Sequence, residues 1–375
     1  MLRLLVCAAV SCGLAFGQTS SSQPAITVAQ LMDSLAGPAQ HDSDAALARR
    51  VGSLHLVERL TPGTLARLEE TLHAGAETRD ALRLLADTSA LLDPPPGELP
   101  HKPAPRVPEQ QAMMNAAVNS VAVTMRHLPD FFATRTTQSF DNQPTVATHS
   151  GWAPTEPVHP VGIFRQAITY RDGKEVTGPS AASAKGMDRV GPPGLTSTGE
   201  FGSLLATVLR DSSHGTIAWS HWETAGADVV AVFHYAVPQA ASHYEVDFCC
   251  VKSSEDPTAY NADGLANAYR GRPAYHGDLF LDPATGTITR FTVVPELKSS
   301  DPITQAGVAI DYGMVAIQGD KSYLCPVHSL ALSVVESYAG GENSARLLTR
   351  INDVTFSDFH RFGSTIRVVE PSVQP

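Results

Sequence analysis

Near residue 128 the dominant hydrophobic period of this chain changes from helical to alternating, with one later helix among the strands, and that change most constrains what it can fold into. Up to that point apolar residues recur every three or four positions; beyond it they alternate with polar ones, and a pattern of one period cannot sit still in the other element. FFATRTTQSF (131–140), IFRQAITYRDG (163–173), TIAWSHWE (216–223) and DVVAVFHYAV (228–237) are rich in β-branched and aromatic residues and are separated by turn residues, so they read as strands. Further strands are expected at HYEVDFCCV (243–251), YHGDLFLD (275–282), TITRFTVV (287–294), VAIDYGMVAI (308–317), SYLCPVHSLALSV (322–334), RINDVTFSDF (350–359) and STIRVV (364–369). Asp282-Pro283-Ala284-Thr285-Gly286 and Gly319-Asp320 read as hairpin turns, which makes most of the sheet a meander of sequential antiparallel neighbours.

The helical part has its own punctuation. In a region from 18 to 92, Leu47, Val51 and Leu54, then Leu65, Leu68 and Leu72, then Leu82, Leu85 and Leu92 mark three or four antiparallel helices, with Thr61-Pro62 as a cap and first-turn proline. Residues 93–108, DPPPGELPHKPAPRVP, hold seven prolines and read as a semi-rigid linker between two regions that could move independently. From 109 to 375 a second domain is expected. It opens on a helix at 109–127 with Met114, Val118, Val121 and Met125 along one face, and a later helix follows Ser197 and Glu200, which form a capping-box pattern ahead of Phe201, Leu204, Leu205, Val208 and Leu209. The fold class is therefore α+β: a small N-terminal helical bundle, then an antiparallel sheet covered by helices.

Residues 1–17 read as a signal peptide: MLR, an apolar run LLVCAAVSCGLAF, and Ala15 and Gly17 before a polar stretch. This predicts a periplasmic or secreted protein; the competing reading lipidates Cys12, although Ala9 stands where a lipobox wants Leu. The apolar run falls short of the roughly 20 residues that span a bilayer, and no membrane span is expected elsewhere. A net charge of −11 without basic tracts argues against nucleic acid as a partner. Alternation places Tyr244, Val246, Phe248 and Cys250 on one strand face and His243, Glu245, Asp247 and Cys249 on the other. A Cys250–Cys325 disulfide is the structural expectation, with a vicinal Cys249–Cys250 bridge as the alternative.

Fourteen histidines invite a search for metal sites, but no HExxH and no paired Cys/His spacing is present, so neither metal nor cofactor is expected. His243, Glu245 and Asp247 share a face and read as solvated. No G-x-S-x-G elbow or phosphate loop marks catalysis. Trp219 and Trp222 fall on opposite faces of a regular strand, where core packing is the default for both.

The order of elements after residue 108, together with YHGDLFLDPATGTITRF at 275–291, resembles the periplasmic superfamily of the lipoprotein carrier LolA and the stress sensor RseB. GEFGSLLATVL and HYEVDFCCV also resemble segments of exported acidobacterial proteins without an assigned function. The superfamily resemblance implies a curved, unclosed half-barrel whose apolar hollow holds an acyl chain or a partner's hydrophobic segment. On that basis the chain reads as a non-enzymatic periplasmic protein binding an apolar ligand, a lipid or lipoprotein acyl chain, with Phe233, Tyr235, Tyr244, Phe248 and Phe291 on the apolar strand faces as candidate wall residues. Burial of about 0.8 kcal/mol per methylene would suffice for affinity. A module that docks an envelope protein and has a filled core is the alternative, and a hydrolase with an unmarked site the third reading.

Overall fold

A computed structural model describes residues 25–36, 42–142, 156–177, 192–249, 269–317, 321–338 and 345–362. The expected signal peptide, the Gly319-Asp320 turn, the strand at 364–369 and Cys250 lie outside the described residues.

The helical unit is α1 (Val28–Ala36), α2 (Asp44–Gly52), α3 (Pro62–Thr71) and α4 (Ala76–Thr88), with a two-residue parallel bridge between β1 (Ala25–Ile26) and β2 (His55–Leu56). Thr61 caps α3 by accepting from the Thr64 amide at 3.3 Å, and Pro62 occupies the first turn, as the sequence predicts. Asp44, the first residue of α2, accepts from the Glu77 and Thr78 amides at 3.0 and 3.1 Å and so caps α4 from outside. A Cβ at Gly75 would strike that carboxylate at 2.2 Å. Leu31, Leu35, Val51 and Leu82 fill a core of the unit's own.

After α5 (Val107–His127) the chain forms β3 (Phe131–Asp141), β4 (His159–Arg171), β5 (Lys174–Thr177), β6 (Gly194–Thr196), α6 (Ser203–Ser212), β7 (Thr216–Ala225), β8 (Asp228–Val237), β9 (Val246–Cys249) and β10 (Tyr269–Gly271). It then runs through β11 (Tyr275–Leu281), β12 (Ile288–Pro295), β13 (Ile303–Ala316), β14 (Ser322–Tyr338) and β15 (Ala345–Arg361). Ten of these strands form one antiparallel sheet, ordered β5-β4-β3-β15-β14-β13-β12-β11-β8-β7 and not closed into a barrel. The expected meander is present from β11 to β15. The expected strand at 243–251 departs from it: β9 starts only at Val246 and belongs to a separate three-stranded sheet, β10-β9-β6, whose buried Val246 and Phe248 side chains, with Tyr244 just before the strand, join the apolar cluster of the large sheet.

Alternation gives the large sheet two unlike faces. Its inner face, with Phe233, Tyr235, Leu279, Phe291 and Val308, meets α5, α6 and the small sheet in one apolar cluster. The outer face carries the helical unit, Leu84, Ala90 and Leu91 packing on Ala309, Leu330, Leu332 and Ile351. A Cβ at Gly307 would meet Leu91 at 2.3 Å, so the close approach of unit and sheet needs that glycine.

The proline-rich segment is bound along its length. Trp222 Nε1 donates to the Pro103 carbonyl at 2.9 Å, Lys102 Nζ sits 3.6 Å from the centre of that indole ring, and Glu98 accepts from the hydroxyls of Thr61 and Thr64. Trp219 and Trp222 do not lie on opposite faces: a bulge between Trp219 and His221 turns both inward, with ring centres 4.8 Å apart.

Two helix expectations are also corrected. Helix α5 buries Ala117 and leaves Val118 about half exposed, because the 282–286 hairpin turn packs against it. Gly286 there has φ +72°, and a Cβ would come within 2.5 Å of Ala116. Ser197 and Glu200 do not cap α6, which starts at Ser203 after Gly202. They form a buried network instead: the Ser197 hydroxyl donates to Glu200 at 2.7 Å, and Arg135 pairs with Glu200 at 3.0 Å.

Candidate functional site

The five expected wall residues come together, but as packing. Phe233, Tyr235, Tyr244, Phe248 and Phe291 are each at most 6% exposed and belong to the same cluster. The Tyr235 hydroxyl donates to the Thr292 carbonyl at 2.6 Å, crossing Gly277, where a Cβ would meet both groups. Helix α6 is tied down by Asp211, which accepts from the His243 amide at 2.7 Å, the His243 ring at 2.9 Å and the Tyr275 hydroxyl at 3.0 Å. Burial alone would raise the Asp211 pKa, but these bonds outweigh it and hold the carboxyl below its usual value. The space left beneath α5 and α6, between Met125, Phe201 and Tyr312, is about 20 Å³. That is room for about one water.

Cys325 is a free, buried thiol beside Phe131, Ile168, Tyr170 and Phe201; Cys250, its expected disulfide partner, lies outside the described residues. Burial in that apolar cluster pushes the thiol up to about 12, which makes it inert as a nucleophile. His243 pairs with Asp211, whereas Glu245 and Asp247 share Arg270, with Arg272 also beside Glu245. Among the described residues no group of three or more His, Cys, Asp or Glu side chains could hold a metal ion.

A larger cavity lies on the other face of the sheet. A cleft of about 390 Å³ separates α3 and α4 from β7, β8 and β11–β14, a size in the range of small-molecule sites. Leu60, Pro62, Leu65, Ala86, Ala90, Val230, Phe280 and Leu330 make its apolar walls. Its polar floor follows from strand register. Phe280, Arg290, Asp311 and His328 are successive cross-strand partners on β11, β12, β13 and β14, and Asp353 of β15 lies diagonal to His328, opposite Leu330.

This row alternates in charge. Arg290 Nη1 donates to Asp311 Oδ1 at 2.8 Å, and the His328 ring lies between Asp311 Oδ2 at 3.1 Å and Asp353 Oδ1 at 2.9 Å. Burial opposes the charge on His328, but the two carboxylates raise it to about 10; burial likewise opposes Asp311, which Arg290 and His328 bring down to about 2. Both are fixed charges near neutral pH. At the far wall Arg59 pairs with Glu223 in a buried bridge between the helical unit and β7, and the Arg59 and Arg290 guanidiniums lie 5.3 and 5.8 Å from the Phe280 ring centre.

Asp87 differs from the rest. It sits near the C-terminus of α4 and its carboxyl accepts no hydrogen bond from any described residue. Burial first, and then the negative charge of Asp353, push it up to about 7, against the pull of His328 and Arg290.

None of the charged cleft residues is singled out by the sequence pattern. The signal available was a lone charge inside an apolar strand, Asp311 in VAIDYG, His328 in CPVHSL and Asp353 in INDVTF. Comparison with known protein families, curated proteins and solved structures finds no match to this chain.

Proposed function

We propose that this is a non-enzymatic binding protein, acting outside the cytoplasm, that takes a small ligand in the cleft between the helical unit and the outer sheet face. The observation that carries this reading is the contrast in free space, about 390 Å³ on the outer face against about 20 Å³ beneath α5 and α6. An acyl chain on the inner face would have to displace Phe233, Phe291 or the clamped α6, whereas the outer cleft is already open. Mixed lining suits a small molecule with one polar end: apolar walls supply affinity, and the charged row fixes orientation.

The filled inner face also favours a second reading, an envelope interaction module in which the helical unit docks a partner protein. Native mass spectrometry of protein purified from its own envelope without detergent separates the two. A stoichiometric small molecule that is lost when Ala86→Trp fills the cleft supports the binding reading. An acyl species retained by that variant would return the ligand to the inner face, and a protein with no bound species would favour the interaction module.

A further inference from the structure

The charges around the cleft balance except at one point. Arg59 is bonded to Glu223, Arg290 to Asp311, and His328 to both Asp311 and Asp353. Asp87 faces this set from α4, with Arg290 on β12, Asp311 on β13, His328 on β14 and Asp353 on β15 as the charged groups around it. With Asp87 ionised, Arg59, Arg290 and His328 meet Asp87, Glu223 and Asp311 in the lining and Asp353 just behind it, with His221 also 3.3 Å from Glu223. Asp87 is the carboxyl of this set that no described residue bonds, and with Asp353 counted it leaves these seven groups one negative charge in surplus.

We infer that the cleft takes a small organic cation, a primary ammonium on a short apolar body, with its nitrogen against Asp87 and its body along Leu65, Ala86 and Leu330. The inference rests on the binding reading above and names its ligand class. An ammonium supplies up to three donors to a carboxyl that lacks any and cancels the surplus charge in a partly dry site. An anion of the same size is less favoured, because Glu223 and Asp311 already offset the Arg59 and Arg290 charges, even though each guanidinium keeps a buried Nε without a hydrogen-bond partner. The apolar walls then favour an aryl or alkyl amine over a bare inorganic cation.

Isothermal titration of the full chain at low salt with three probes of matched size, 2-phenylethylammonium, 2-phenylethanol and 3-phenylpropanoate, tests this. At pH 8 the ammonium should bind at least about tenfold tighter than the other two, a difference of about 1.4 kcal/mol. Asp87→Asn, checked for an intact fold by circular dichroism, should erase that preference. Affinity for the ammonium should also fall about tenfold or more between pH 8 and pH 5.5, as Asp87 takes up a proton and the amine stays charged. Preferential binding of the alcohol or the carboxylate, or ammonium binding that survives Asp87→Asn, would overturn the cation class while leaving the cleft a binding site. Binding of none of the three would also overturn it, and the native-extract measurement would then judge the cleft by itself.

Discussion

The two faces of the large sheet are both covered by helices, yet one cover seals and the other leaves a cavity. On the inner face the strands from β7 to β14 present mainly aromatic and aliphatic side chains to α5, α6 and the small sheet, the charged Arg135–Glu200 pair is buried toward β3, and the contact beneath α5 and α6 leaves almost no space. On the outer face the helical unit closes equally well over Ala309, Leu330, Leu332 and Ile351, then stands off where β12 to β14 present Arg290, Asp311 and His328. The difference lies in the strands rather than in the helices. A charge that loses water must keep a partner, so a row of charges resists a dry seal and holds a helix away from the sheet.

The largest expected effect would break this comparison if it failed. Phe291→Ala should lower stability by about 3–5 kcal/mol, read from the urea midpoint, because the ring fills a closed core. A loss under about 1 kcal/mol would mean that the inner face is a tolerant ligand pocket and not packing. Next, Glu223→Gln should destabilise by about 3 kcal/mol, since it strands Arg59 as a buried charge between the helical unit and β7. The double variant Arg59→Met with Glu223→Leu should recover most of that loss; no recovery would show that the bridge is not what joins the two parts.

Two pH effects sharpen the contrast. Asp87 has a folded pKa near 7 against 3.8 for an ordinary aspartate, so its contribution to stability is present below about 4 and is lost as pH rises through about 7. Asp87→Asn should therefore match the natural protein at pH 4 and exceed it by about 1–2 kcal/mol at pH 8, allowing for its partial exposure to the cleft. Equal stability at both pH values would place Asp87 in open solvent. For His328 the sign is the usual one for a base that gains partners: stability is present below its ordinary value of 6.5 and lost as pH rises through about 10. Nitrogen chemical shifts should report an imidazolium still charged at pH 8, and a midpoint near 6.5 would remove the charged row from the cleft floor.

Much of the fold is legible in the sequence because its causes are local. Thr61-Pro62 starts α3, and the Asp282–Gly286 turn sets the β11–β12 hairpin, with Gly286 donating to the Asp282 carbonyl at 2.9 Å. Alternation also places Tyr244, Val246 and Phe248 inward correctly. What periodicity misses depends on neighbours distant in sequence. The bulge at Trp219 is visible only against β8, and Ser197 and Glu200 look like a cap until Arg135, more than sixty residues earlier, claims them. The cleft is harder still: Asp87 meets Arg290, Asp311, His328 and Asp353 only after the helical unit has docked on a sheet whose register brings those four together. The five wall residues are rightly read as inward-facing, but a sequence does not reveal whether an apolar hollow is filled.

The smallest effect tests that last point at one helix. Periodicity puts Val118 on the buried face of α5, whereas the hairpin turn at Gly286 rolls the helix so that Ala117 is buried and Val118 is about half exposed. Val118→Ser should then shift stability by no more than about 0.5 kcal/mol, the range of surface substitutions. Ala117→Leu should cost about 1–3 kcal/mol, because Ala117 is fully buried in the closed inner cluster and the added atoms have no space there. If the two effects were reversed, α5 would sit in the orientation that periodicity suggests, the hairpin would no longer press on it, and the inner face would have a gap at the position where the carrier reading needs one.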